Sequence, residues 1–310
     1  MRADIQRAIE LMRSNDPKSL DRALALLQQT VYAFSLKVCG QREDAEDTMQ
    51  EVLLKSANQL PKFDSPQALS VWLYKVARSR CLMGRRRSKF APRPDLSLEA
   101  LMPGQAGLAA LAGPPAATPE SSLLQREKAQ GLRQAVQQLP PEYRLILVLH
   151  DMEDLSSADI AEITGLRPGT IRVRLHRARL YVRKALAQSE VGAPRLKAKP
   201  AAAAPARAAP PAPGGRRCKA LFAELSAYLD AELDPSLCDE LEKHLAGCAP
   251  CQAFVASLEG AIRQCRAMPS DRPNPERAAR VRREVIKRYR GVMAGAVGGA
   301  FAAKVESALP

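Results

Sequence analysis

Apolar residues recur along the chain at the three- and four-residue intervals of helices that bury one face. Leu20, Ala23, Leu24, Leu27, Val31 and Phe34 form a first stripe. Ala45, Met49, Val52, Leu53 and Leu60 form a second, and Leu69, Trp72, Leu73, Val76 and Ala77 a third. Glu43, Asp44 and Glu46 open the second of these helices, where negative charge is favourable, and Asp47, Gln50, Glu51 and Lys55 fall on another face. Leu132, Val136 and Leu139 lead through Pro140 and Pro141 into an apolar helix ending near His150. Further on, Leu221, Leu225, Tyr228 and Leu229 form one stripe and Leu237, Leu241 and Leu245 another. Two stretches lack a period. Residues 90–120 and 191–215 are rich in Pro and Ala and read as linkers, the first with a short helix near Leu98–Leu111. The pattern predicts an all-α chain. Two small helical bundles occupy 1–90 and 121–187, with a linker at 91–120. A second linker at 188–216 leads to a small helical module at 217–268, and 269–310 is a tail with no assigned role.

The clearest punctuation lies between Leu155 and Arg179. Ser156 is placed to cap a helix with Asp159 three residues on. Gly165 closes that helix, because glycine accepts the left-handed conformation a helix end needs. Pro168 suits the first turn of the next helix. On that second helix Ile171, Leu175, Ala178 and Val182 form the inner seam, and Thr170, Arg172, Arg174, His176, Arg177 and Arg179 fall largely elsewhere. A helix with an apolar seam and a dense arginine face suits a major groove, where arginine reaches both phosphates and guanine edges. The plain alternative is a solvated basic helix. A second basic run, Arg78, Arg80, Arg85, Arg86 and Arg87, follows closely on Phe63, Trp72 and Tyr74. Arginines that hold phosphate beside aromatics that stack on unpaired bases suit melted DNA, although a lone Trp on an apolar stripe is also an ordinary core residue.

Charge strengthens the nucleic-acid reading. The formal net charge is +14, which favours an anionic partner. Apolar residues make up 46% and aromatics only 4%, which suits small helical domains. The first residues are polar, and the apolar segment 291–303 is broken by glycines and falls short of the roughly 20 residues a membrane span needs. A cytoplasmic location without a membrane partner is expected. In such a reducing compartment the seven cysteines are expected as free thiols or metal ligands rather than structural disulfides.

Three of them carry a pattern. His244, Cys248 and Cys251 stand at His-x3-Cys-x2-Cys spacing. One helical turn brings His244 and Cys248 to one side, and the Cys248-Ala-Pro-Cys251 turn curls the second thiolate toward the first. Two thiolates and an imidazole suit tetrahedral zinc or another thiophilic metal ion, which lacks one ligand. Cys218 is the best candidate for it and Cys238 the second; Cys238 and Cys265 are otherwise spare thiols. A zinc deaminase needs His-x-Glu for its general acid, and neither His150 nor His244 has it. The site reads as structural or sensory, and the chain as no enzyme.

Taken together, these residues resemble a bacterial σ factor of the extracytoplasmic-function (ECF) group. Glu43–Leu54 is similar to the family's region 2 helix that docks on core RNA polymerase, which implies polymerase contact by Asp47, Gln50, Glu51 and Val52. Phe63 and Trp72–Arg78 are similar to the part that melts and reads the −10 element of promoter DNA, with Arg85–Arg87 at its basic end. Ser79, Met83 and Val173 depart from the family's usual Asn, Asp and Ser. Leu139–Arg144 and Gly169–Arg179 are similar to region 4, which reads the −35 element. The module at 217–268 resembles the zinc-binding anti-σ domain that is normally a separate protein. The fusion implies a σ factor regulated in cis, through intramolecular contact, by a domain that senses metal or redox state. A helix–turn–helix regulator that does not bind core polymerase is the alternative, and would need neither the Asp47–Val52 helix nor the aromatic–arginine stretch.

Overall fold

The computed structural model describes residues 3–13, 17–63, 65–83, 96–102, 122–191 and 224–306. Arg85, Arg86, Arg87, Cys218 and most of both linkers lie outside them. In chain order the elements are α1 (Ala3–Arg13), α2 (Pro17–Cys39), α3 (Arg42–Ser56), α4 (Pro66–Met83), α5 (Leu98–Leu101), α6 (Ser122–Gln138), α7 (Pro141–Leu147), α8 (Ser157–Thr164), α9 (Pro168–Val191), α10 (Pro235–Gly247), α11 (Ala249–Arg266) and α12 (Pro275–Glu306). A 3-10 turn spans Leu60–Lys62, a π-helical turn spans Val148–Met152, and residues 224–229 are also helical. The fold is all-α, as the patterning predicts. Among the described residues no single helix is long and apolar enough to cross a membrane. The chain forms two compact units that cut across sequence order. One gathers 1–91, 153–166 and 269–310; the other gathers 92–152 and 167–268.

In the first unit α1 to α4 enclose a core of Leu24, Leu27, Phe34, Met49, Leu53, Leu69, Leu73 and Tyr74. Gly40 reverses the chain between α2 and α3 with a φ of +83°, a left-handed conformation that costs glycine little. Glu153 reaches into this core and is fully buried. It accepts hydrogen bonds from Lys37 Nζ at 3.0 Å and from the Tyr74 hydroxyl at 2.6 Å, so the buried carboxylate is compensated. Arg78 donates to the Ile163 carbonyl at 3.1 Å, which ties α8 to α4. The tail is no loose end: α12 packs on α2 and α3, burying Ala278, Val281 and Val285.

α8 forms as its sequence dictates. Ser156 Oγ accepts from Asp159 N at 3.1 Å, the Asp159 carboxylate accepts from Ser156 N at 3.4 Å, and Gly165 ends the helix at φ +72°. In the second unit α9 is the long central helix, with α6, α7 and α11 packed against it. Phe254, Leu258 and Ile262 of α11 share a core with Leu180 of α9, Leu225 and Leu241.

One expectation is corrected. Cys39 and Cys81 are not free thiols; they are joined by a disulfide with their Cα atoms 5.5 Å apart. Cys39 ends α2 and Cys81 lies in the last turn of α4. The packing of those two helices brings together residues that sequence spacing kept far apart.

Candidate functional sites

α3 carries an acidic face because its other side is apolar at helical spacing. Asp47 is exposed and Gln50 and Glu51 are half-buried, but Val52 is fully buried and belongs to the core. That outer face is not bare. At the start of α12, Arg277 reaches Glu46 at 2.9 Å, Asp47, and Gln50 at 3.4 Å. The Asn274 backbone N–H donates to Glu46 at 3.3 Å, while the Asn274 side chain accepts from the N–H groups of Glu276 and Arg277 and so starts the helix. Burial works against the Arg277 charge, but Asp47 and Glu46 outweigh it and raise its pKa. Glu51 is held separately, by Lys55 at 2.7 Å and Arg80 at 2.8 Å.

Along α4 the aromatic and basic residues take different places. Trp72 is half-buried, its ring 5.7 Å from that of Phe63. Tyr74 is a core residue with its hydroxyl spent on Glu153, and in this arrangement it reaches no base. Arg78 is half-buried, and burial lowers its pKa. Arg80 is exposed, in the ion pair with Glu51.

α9 divides along its length. Thr170 and Arg172 at its beginning are exposed, as is Val173. Arg174 pairs with Glu142 at 3.1 Å, and Arg177 is half-buried. His176 is buried, its Nδ1 2.9 Å from Ser226 Oγ. Burial, with Arg179 and Arg177 close by, pushes its pKa down to about 4. Arg179 is 1% exposed. It donates to Asp151 at 2.9 and 2.6 Å and to Asp230 at 2.7 and 2.8 Å. Burial opposes its charge, yet the two carboxylates outweigh that and hold its pKa above the ordinary value. Asp151 is likewise buried, and hydrogen bonds from Arg179 and His150 overcome that burial and hold its pKa down. Arg183 lies 4.4 Å over the Phe254 ring, and burial brings its pKa to about 10. A cavity of about 340 Å³ opens beside Arg172, His176, Arg177, Glu224 and Glu232.

His244, Cys248 and Cys251 come together as their spacing predicts. Their ligand atoms all lie within 4.8 Å of one another, with His244 Nε2 3.3 Å from Cys251 Sγ and the two sulfurs 3.2 Å apart. Asp234 caps α10 and Pro250 opens α11, so the corner between the two helices turns at Cys248. Both cysteines are buried. Two thiolates and an imidazole at these separations fit a tetrahedral thiophilic ion and no carboxylate-bound one. Cys238 is half-buried with its sulfur near the Leu233 carbonyl, and Cys265 is buried on α11; neither joins the cluster.

Sequence reasoning missed Glu153, Asp151, Asp230 and Arg277 as partners. Nothing in the sequence near Arg277 points to Glu46, more than two hundred residues away. Arg179 was read as a surface arginine, and it is the most buried charge on α9.

Comparison with known proteins bears on the same residues. The Sigma-70 region 2 family matches residues 24–90, the Sigma-70 region 4 family residues 129–182, and a zinc-finger family residues 218–252. The ECF RNA polymerase sigma factor SigW of Bacillus subtilis is 28% identical over 184 residues, 59% of this chain and 96% of that protein. RNA polymerase sigma-H factor of Pseudomonas aeruginosa is 28% identical over 186 residues, 58% of this chain and 93% of that protein. The ECF sigma factor SigM of Mycobacterium tuberculosis is 30% identical over 150 residues, 48% of this chain and 68% of that protein.

Proposed function

Because the chain belongs to the ECF σ factors, which are non-enzymatic transcription initiation factors, we propose that it directs core RNA polymerase to its promoters under the control of its own C-terminal segments. In this reading Asp47, Gln50 and Glu51 on α3 dock on the polymerase. Trp72 and the arginines from Arg78 to Arg87 handle the −10 element. Thr170, Arg172, Arg174 and Arg177 read the −35 element, with the phosphate contacts supplying most of the affinity. Val52 supports the docking face from beneath, and Tyr74 and His176 support their helices.

The observation that carries the control is Arg277 on Glu46, Asp47 and Gln50. A guanidinium seated on a docking face competes with any polymerase residue that binds there. The second unit supports the same conclusion: Ser226, Asp230 and Phe254 of the C-terminal module engage His176, Arg179 and Arg183 of α9. Both contacts are intramolecular, so a tether holds each at a high effective concentration and weak pairing suffices. The His244, Cys248 and Cys251 cluster takes zinc or another thiophilic ion, with Cys218 as the fourth ligand. A closed site of that kind supplies folding energy to a small module and ties its integrity to metal or thiol state.

Run-off transcription with core polymerase tests this. Residues 1–187 and the full chain carrying Arg277→Ala are expected to outperform the unmodified full chain several-fold. Equal activity of all three removes the proposed control, and no activity from residues 1–187 removes the polymerase-docking reading.

A further inference from the structure

Two buried cysteines have no part in any site described above. Cys39 is 2% exposed and Cys81 7%. Neither belongs to the metal cluster, and neither has a task in promoter recognition. Helix packing alone can bury a cysteine as a small hydrophobe. Here packing also sets two of them with Cα atoms 5.5 Å apart, within the separation a disulfide requires, and the bond is formed. It joins the end of α2 to the last turn of α4 across a sequence separation of 42, so the enclosed loop contains all of α3. Thr48 of α3 places its hydroxyl 3.9 Å from the Cys81 sulfur. One bond therefore closes the loop that holds the docking-face helix and anchors the helix with Trp72.

We propose that Cys39 and Cys81 form a reversible thiol-oxidation site in the first unit, separate from the His244 cluster, with hydrogen peroxide as its oxidant. This stands independently of the control proposed for α12. Cys81 is the more exposed thiol and meets the peroxide first. Its thiolate attacks one peroxide oxygen, the O–O bond breaks, and the departing hydroxide takes up the thiol proton as water, leaving a sulfenic acid. The Cys39 thiolate then attacks the sulfenic sulfur. The S–S bond forms, and the second hydroxide leaves with the Cys39 proton as water. Two thiols and one peroxide become one disulfide and two waters. A dithiol reductant restores the thiols by exchange and is itself oxidised to a disulfide. The cross-link shortens the denatured chain's reach and stabilises the bundle. Oxidation at Cys248 and Cys251 has the opposite sense, because it removes metal ligands.

Peroxide titration of the reduced, zinc-loaded full chain tests the site. After alkylation and a non-reducing tryptic digest, residues 38–42 are expected linked to residues 81–85. A chromogenic chelator in the same samples follows release of zinc from the other cluster. Trp72 is the single tryptophan and sits on α4, so its fluorescence reports melting of this bundle. The oxidised chain is expected to melt on the order of ten degrees above the reduced one. Cys39→Ala and Cys81→Ala chains are expected to lose that difference. Failure of the linked peptide to form, cross-linking of Cys81 to Cys248 or Cys251 instead, or equal midpoints for the two redox states of the unmodified chain each overturns the proposal.

Discussion

Arg179 holds a full positive charge with almost no access to water, between Asp151 on one side and Asp230 on the other. Removing one partner from a buried pair leaves a charge uncompensated, and that costs more than the pair is worth. Asp151→Asn is therefore expected to destabilise the second unit by about 3–5 kcal/mol in urea unfolding. Asp230→Asn is expected to cost less, because Asp230 is the more exposed carboxylate. His176, one turn away, sets a pH dependence. Its pKa in the fold is about 4, so the unfolded chain, with an ordinary value near 6.5, binds the extra proton between those limits. Stability then falls as pH drops from about 6.5 to about 4, by about 3 kcal/mol. In equilibrium unfolding across that range, His176→Gln is expected to flatten the dependence. Persistence of the slope would assign it to other groups.

The helix α8 owes its boundaries to local chemistry. Both ends were legible: Ser156 with Asp159 at the start and Gly165 at the end, because caps are satisfied within a few residues of chain. Gly165→Ala meets no neighbouring atom, so its cost is the left-handed backbone alone, about 1 kcal/mol. Ser156→Ala is expected to cost about 1 kcal/mol through the lost cap. Chemical denaturation of each single variant checks both, and additivity is not expected within one short helix. The histidine–cysteine corner was legible for the same reason. His244, Cys248 and Cys251 lie within eight residues of chain, and the helix turn brings them together. Tyr74 was misplaced because a helical period does not say which neighbour covers each side; Val52 lay on the apolar stripe, and only the family resemblance put it among the docking residues.

Across the whole chain, the proposed control depends on keeping the cysteine-rich module folded. Stripping the metal with a chelator under reducing conditions is expected to raise run-off activity of the full chain toward that of residues 1–187. Cys248→Ser is expected to show high activity with or without added zinc, and to bind less zinc by elemental analysis. A chelated chain as quiet as the loaded one would remove metal from the control. Promoter binding by residues 1–187 is expected to weaken steeply as salt rises, because its arginines displace counterions from phosphate.

The sequence by itself determined most of the helices, the ends of α8, the all-α class and the His-x3-Cys-x2-Cys corner. Each depends on residues within about one or two helical turns, where backbone geometry fixes who can meet whom. Only the tertiary structure decided that Arg277 lies on Asp47, that Glu153 fills the space between Lys37 and Tyr74, that Asp230 neutralises Arg179, and that Cys39 meets Cys81. Those pairs lie far apart along the chain, and no period or spacing encodes them. They arise when separate apolar faces pack, and packing then requires each buried charge to find its partner.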